Sequence, residues 1–172
     1  LSRKKIFLTE EKIKHRIEQL GKEISLAYLD QEVMVVGVLK GAFIFMADLV
    51  RSLTIPVKVD FVAVSSYGFS SQSSGVVQII KDTGQSITNK QVLIIEDIVD
   101  TGLTLHYLKE RFLAREPKEV KICTLLDKPA RREVPLKADY VGFVVPDAFL
   151  VGYGLDYQEK YRNLRDIFII EV

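Results

Sequence analysis

The sequence is short of the residues that build covalent or metal cross-links. Its single cysteine, Cys123, excludes an internal disulfide, and its two histidines, His15 and His106, give no recognisable zinc spacing. Cys123 sits in the apolar run Val120-Lys121-Ile122-Cys123-Thr124-Leu125-Leu126, where a free thiol behaves as a small core hydrophobe. A reducing, cytoplasmic setting fits such cysteine usage. An excess of charge is lacking too: 24 basic against 23 acidic side chains leave a formal net charge of +1. No whole-molecule field draws in nucleic acid or membrane lipid, so any anion binding has to be local. No apolar run approaches the roughly 20 residues of a membrane span. The start, Leu1-Ser2-Arg3-Lys4-Lys5, is followed by Thr9, Glu10, Glu11 and Lys12 and develops no signal-peptide core.

What is present suits one α/β domain over 1–172. The 172 residues, 48% of them hydrophobic, can bury one substantial core but are too few for two ordinary domains, and no repeat or linker divides them. Apolar residues at Ile13, Ile17, Leu20, Ile24, Ala27 and Tyr28 step by threes and fours and predict a helix over 9–28, with Thr9 as cap and Glu10 and Glu11 at its positive end. The unbroken run Val33-Met34-Val35-Val36-Gly37-Val38 predicts a strand covered on both faces. Further strands are expected over 57–64, 92–95, 120–126, 140–145 and 167–172, and helices over 43–53 and 103–113. Strands alternating with helices of about ten residues predict a mainly parallel sheet with helices on both sides. Between two of the strands, Ser66-Tyr67-Gly68-Phe69-Ser70-Ser71-Gln72-Ser73-Ser74-Gly75 reads as a mobile loop whose Tyr67 and Phe69 could cover something on closing.

The segment richest in chemistry is Val92-Leu93-Ile94-Ile95-Glu96-Asp97-Ile98-Val99-Asp100-Thr101-Gly102-Leu103-Thr104-Leu105. It combines a buried strand, two adjacent carboxylates, and a hydroxyl- and glycine-bearing turn that opens a helix. Freed amides at a helix N-terminus, joined by the Thr101 and Thr104 hydroxyls, make a site for a phosphate, and Gly102 permits close backbone approach. Glu96 and Asp97 would repel that anion. As acceptors they suit the hydroxyls of a ribose whose 5-phosphate sits in the turn. The same pair alone could instead be a magnesium site of a phosphoacceptor or phosphatase domain, and the turn an ordinary helix cap.

The whole stretch resembles the phosphoribosyl-pyrophosphate signature of the type I phosphoribosyltransferases, and four further motifs narrow the resemblance to the hypoxanthine-guanine members, from about Phe7 onward. Val38-Leu39-Lys40-Gly41-Ala42 resembles the family's pyrophosphate loop, with a cis peptide before the lysine; Lys40 would otherwise read as a solvated lysine at a helix start. Ser66-Tyr67-Gly68 resembles the opening of the catalytic lid, placed at about 66–80, whose closure excludes water. Leu125-Leu126-Asp127-Lys128-Pro129 resembles the motif whose lysine donates to the purine 6-oxo group. Lacking an acceptor, Lys128 would reject the amino hydrogens of adenine. Val145-Pro146-Asp147-Ala148-Phe149-Leu150, continuing through Asp156 to Arg162, resembles the base- and metal-binding segment.

The resemblance implies the type I phosphoribosyltransferase fold, with a small hood from the N- and C-terminal segments (about 146–172 at the C-terminal side). It implies transfer of the 5-phosphoribosyl group from phosphoribosyl pyrophosphate to hypoxanthine or guanine, giving IMP or GMP and pyrophosphate. Asp100 would be the general base at purine N7. Glu96, Asp97, Asp100, Thr101, Gly102, Leu103 and Thr104 would bind the sugar phosphate, and Lys40, Gly41 and Arg162 the pyrophosphate. Phe149 would stack on the base, a residue that without the resemblance reads as core packing, and backbone groups at Leu150 would read its edge. The implied cofactor is magnesium, approached by Asp156 directly and by Glu96 and Asp97 through ribose hydroxyls or water. Leu103 stands where relatives carry a polar or basic residue, so only its amide can serve the phosphate, and Ala148 stands where relatives often carry a charge. A homodimer or homotetramer is implied, with no nucleic-acid or membrane partner. Competing readings are a xanthine-preferring transferase, a noncatalytic phosphoribosyl-pyrophosphate sensor on nucleic acid, and a structural α/β domain.

Overall fold

The computed structural model describes residues 3–67 and 76–172, the side chains at 66, 67 and 76 excepted. Among the described residues, nine strands and three helices run β1 (Lys4–Leu8), α1 (Glu10–Ala27), β2 (Val33–Leu39), α2 (Phe43–Ser52), β3 (Val57–Tyr67), β4 (Val76–Lys81), β5 (Gln91–Val99), α3 (Leu103–Leu113), β6 (Glu119–Asp127), β7 (Tyr140–Val144), β8 (Leu150–Val151) and β9 (Ile167–Ile170), with a short 3-10 turn at Pro129–Arg131. Thr9 caps α1, its hydroxyl accepting from the Lys12 amide at 3.3 Å. Ile13, Ile17, Leu20 and Ile24 are buried as their spacing requires, whereas Ala27 is exposed where the helix ends.

Six strands form the main sheet in the order β4-β3-β2-β5-β6-β7. All its neighbours are parallel except β3 and β4. Residues alternate along the buried strands between two cores: Val33 and Val35 of β2 and Leu93 and Ile95 of β5 face α1 and α2, while Met34, Val36, Val92 and Ile94 face α3. Cys123 is fully buried on the first face. Among the described residues, no helix is long and apolar enough to cross a membrane.

Chain direction across the sheet places the site. From β2 the chain moves outward to β3 on one side, and from β5 outward to β6 and β7 on the other, so the crevice between the C-terminal ends of β2 and β5 is a topological switch point, where open α/β sheets bind ligands. A second sheet, β1-β9-β8, antiparallel throughout, joins the two ends of the chain, with Lys4 opposite Ile170 and Leu150 opposite Ile169. It matches the expected hood.

The expected loop at 66–80 is too long at both ends. β3 continues to Tyr67, and the β-branched run after Gly75 forms β4, antiparallel to β3 with Val64 opposite Ile79. Residues 68–75, with Gly68 and Phe69 among them, and the side chains of Ser66 and Tyr67, the residues expected in the lid, lie outside the described residues.

Candidate active site

The loop after β2 and the turn after β5 face each other across a cavity of about 320 Å³ lined by Leu39 and Gly41 on one side and Glu96, Asp97, Asp100, Thr101, Gly102 and Thr104 on the other, with Asp156 and Arg162 reaching in from the segment after β8. β5 parts from β2 before either strand ends: their pairing stops at Gly37 opposite Ile95, while β2 stays paired with β3 to Leu39 and β5 with β6 to Val99 opposite Asp127. Glu96 and Asp97 are therefore strand residues beyond the last pair with β2, at the mouth of the crevice between the two strands. Asp97 Oδ1 accepts from the Ile98 amide at 2.7 Å and Glu96 Oε1 from the Asp97 amide at 3.0 Å. Burial, then the neighbouring Asp97 carboxylate, raise the Glu96 carboxyl well above its ordinary 4.5.

Gly102 adopts the left-handed conformation (φ 84°) before α3 and has no side chain to cap it, so the first-turn amides beyond Leu103 keep their donors for a ligand. A Cβ at Gly102 would lie 2.8 Å from Cδ of Arg132. Arg132 in turn bonds the Asp100 carbonyl at 3.3 Å and pairs with Asp127. The Thr101 carbonyl accepts from the Glu133 amide at 2.9 Å, so Arg132 and Glu133 buttress the turn from behind. The Leu103 amide leans on the Thr101 hydroxyl at 3.4 Å, and Leu103 is not among the cavity residues, unlike Thr104.

The peptide bond between Leu39 and Lys40 is cis. Backbone of Leu39 and Gly41 reaches the cavity, but the Lys40 side chain lies at the surface, its Nζ 2.8 Å from Glu159 Oε2. Arg162 is better placed: Nη1 donates to the Gly154 carbonyl at 2.7 Å, Nη2 stands 3.3 Å from both Asp156 Oδ1 and Glu159 Oε1, and its buried Nε has no partner among the described residues. An unsatisfied guanidinium N–H in a pocket suits an anion.

A second cavity, of about 480 Å³, adjoins the first and shares Asp97, Ile98, Asp100 and Asp156 with it. Lys128, Arg131, Asp147, Ala148, Phe149, Leu150 and Leu155 complete its lining. Lys128 is 7% exposed, an uncommon burial for a lysine, and is held by its amide on the Val99 carbonyl at 2.9 Å. Phe149 is not core packing: it is 42% exposed, with its ring edge-on to Tyr157 at 5.4 Å. The Ile170 amide donates to the Phe149 carbonyl at 3.0 Å, so by the alternation of antiparallel ladders the next residue, Leu150, points its amide and carbonyl away from β9 along the free edge of β8. Asp100 stands where the cavities meet. Its Oδ1 is buried and accepts no hydrogen bond among the described residues; Arg131 Nε is 2.9 Å away but out of line for one.

Among the described residues, no three His, Cys, Asp or Glu gather as a metal site. Asp156 lines the first cavity with Oδ2 accepting from the Glu159 amide at 2.9 Å and Oδ1 3.3 Å from Arg162 Nη2. Such a set fits an ion that brings phosphate and water ligands of its own. Glu159, Arg131, Arg132 and Asp147 were not singled out from the sequence. Only the crowding of cations in Lys128-Pro129-Ala130-Arg131-Arg132 could have flagged two of them.

The phosphoribosyl transferase domain model matches residues 5–158. A hypoxanthine-guanine phosphoribosyltransferase of Bacillus subtilis is 52% identical over 97% of this chain and 93% of its own length. The Aquifex aeolicus protein of the same name is 51% identical over 97% and 94%. In Listeria innocua, a bifunctional TilS/HprT protein matches at 51% identity over 97% of this chain, but over only 26% of its own length. Among solved structures, a hypoxanthine phosphoribosyltransferase of Staphylococcus aureus superposes with a TM-score of 0.94 at 47% identity, covering 97% of this chain and 91% of that one.

Proposed function

The chain belongs to the phosphoribosyl transferase domain family, among the hypoxanthine-guanine phosphoribosyltransferases, and from that premise we propose that it converts hypoxanthine and guanine with phosphoribosyl pyrophosphate into IMP and GMP, releasing pyrophosphate. The observation that carries this reading is the pair of adjoining cavities with Asp100 in their common wall. One has the freed amides and hydroxyls of a phosphate site beside two acceptors. The other has a buried ammonium, an exposed aromatic ring and a free strand edge.

In this reading the 5-phosphate occupies the turn at 101–104, and the ribose hydroxyls meet Glu96 and Asp97. With its raised proton affinity, Glu96 can donate to a hydroxyl as well as accept from one. Gly41 backbone and Arg162 receive the pyrophosphate; Lys40 joins only after leaving Glu159. The purine lies against Phe149, its 6-oxo group toward Lys128 and its edge toward the Leu150 backbone. As the bond from the ribosyl carbon to pyrophosphate lengthens, a purine imidazole nitrogen attacks that carbon and Asp100 takes the proton from N7. Asp156, helped by Glu96 and Asp97 through ribose hydroxyls or water, would hold magnesium, which supplies charge neutralisation to the departing pyrophosphate.

The domain acts as one unit over 1–172, with the lid on the segment that includes Ser66 and Tyr67 and the hood from 146 onward. The family resemblance supports a homodimer or homotetramer, with the pyrophosphate loop near the contact. No nucleic-acid or membrane partner is part of the reading. Incubation with phosphoribosyl pyrophosphate, magnesium and hypoxanthine, guanine, xanthine or adenine tests it: IMP and GMP are expected, while XMP as the main product, or no nucleotide, overturns it.

A further inference from the structure

Arg131 opens no strand or long helix, yet it reaches the centre of the site. It ends the 3-10 turn that begins at Pro129, where its amide closes on the Lys128 carbonyl at 3.1 Å, so its backbone is fixed by the residue that lines the base cavity. Its guanidinium spans two carboxylates on different elements. Nε stands 2.9 Å from Asp100 Oδ1 in the turn after β5, and Nη1 stands 3.5 Å from Asp147 Oδ1 in the segment before β8. The two anchors differ in what they leave free. Asp147 is largely exposed and can satisfy itself with water. Asp100 Oδ1 is buried and is held by the charge of Arg131, whose N–H misses the line of a hydrogen bond, while the rest of the carboxylate is exposed where the cavities meet and leaves its other oxygen to accept there. A carboxylate that must receive a proton needs this combination: a fixed position and an acceptor orbital not already used.

We propose that Arg131 is a positioning residue for the transfer reaction, holding the Asp100 carboxylate at the junction of the two cavities by tethering it to Asp147 across the base site. The inference rests on the reading of Asp100 as proton acceptor. A guanidinium is suited to the task because its fixed fork addresses two carboxylates at once, which a single ammonium does less well. Asp97, Lys128 and Asp156 line the same cavity, but among the described residues only Arg131 is paired with Asp100.

The test compares R131A, R131K and D147N, with D100N and the double variant R131A/D100N, in steady-state kinetics with both substrates varied. For R131A, kcat is expected to fall about 10- to 100-fold, a part of the roughly 10²- to 10⁴-fold that general-base catalysis supplies, while the KM for phosphoribosyl pyrophosphate changes less than about 3-fold. Added guanidinium ion restores part of the R131A rate, R131K retains an intermediate rate, and D147N shows a smaller loss in the same direction. In the D100N background the R131A change costs little more, since the group it positions is gone. Equal losses in both backgrounds, or an unchanged kcat in R131A while D100N is inactive, overturn the inference and leave the Asp100 reading standing. Full turnover by D100N overturns both. Thermal unfolding separates a folding defect, and if R131A fails to fold, R131K and D147N carry the comparison: kcat unchanged in both overturns the inference.

Discussion

A Cβ on Gly41 would lie 1.9 Å from Oδ2 of Asp97, so the backbone of the loop after β2 rests directly on the acidic end of β5. On its other side, a Cβ on Gly154 would stand 2.3 Å from the Gly41 carbonyl. Gly41 is thus clasped between the residues proposed to hold the ribose and the segment that carries Asp156 and Arg162. Gly41→Ala must move one of them. Overpacking of this kind costs about 1–3 kcal/mol, or about 5- to 150-fold in an equilibrium constant. The KM for phosphoribosyl pyrophosphate is expected to rise within that range, with the KM for hypoxanthine little changed. Initial-rate kinetics with each substrate varied checks it, and an equal rise in both constants would argue against a local effect.

Lys128 is buried against the base cavity and supplies only donors. For Lys128→Ala, the ratio of kcat/KM for hypoxanthine over adenine is expected to fall about 10- to 100-fold, the worth of a hydrogen bond to a charged group at about 1.5–3 kcal/mol. A competition assay between the two bases reads the ratio directly; retained discrimination removes the assigned role.

Glu159 engages both cations proposed for pyrophosphate, and its bond with Lys40 holds its carboxyl below the usual carboxylate range. Substrate must displace it. Glu159→Gln is therefore expected to lower the KM for phosphoribosyl pyrophosphate about 2- to 5-fold, the modest size proper to an exposed ion pair. The gain should shrink in high salt, which screens that pair in the parent protein. A raised KM would instead make Glu159 a support for Arg162.

Glu96 bears on stability. Its folded pKa is raised, so the native state binds this proton more tightly than the unfolded chain does. The resulting stability is fully present below the ordinary value of 4.5 and is lost as pH rises through the folded value. Glu96→Gln cannot ionise and escapes that loss. Without ligands, its Tm relative to the parent is expected to be more favourable at pH 8 than at pH 5. An identical difference at both pH values, in thermal scans, contradicts the raised affinity.

Much of this was legible because it is local. The periodicity of Ile13, Ile17, Leu20 and Ile24 places α1, and the runs at Val33 and Val92 name strands buried on both faces. β1, β4 and β8 escaped for different reasons. Lys4-Lys5-Ile6-Phe7-Leu8 has only Leu8 buried and becomes a strand by pairing with β9 at the far end of the chain. β4 follows directly on a glycine- and serine-rich stretch, and its β-branched residues were absorbed into that loop. β8 has two residues, too few for any period to register. In the site, the acidic strand end and the phosphate turn are contiguous and carry a recognisable pattern. Glu159 on Lys40, at 2.8 Å, and Arg131 between Asp100 and Asp147 join residues distant in sequence, and no spacing announces such pairs.

In the proposed function one nucleotide spans both cavities, its phosphate in the turn after β5 and its base against Phe149 and Lys128. The decisive measurement is a crystal structure with GMP bound. Phosphate oxygens are expected within hydrogen-bonding distance of the amides at 102–104, ribose hydroxyls on Glu96 and Asp97, and the guanine 6-oxo group on Lys128 Nζ. GMP bound with its phosphate away from that turn, or with its base outside the Phe149 cavity, would contradict it.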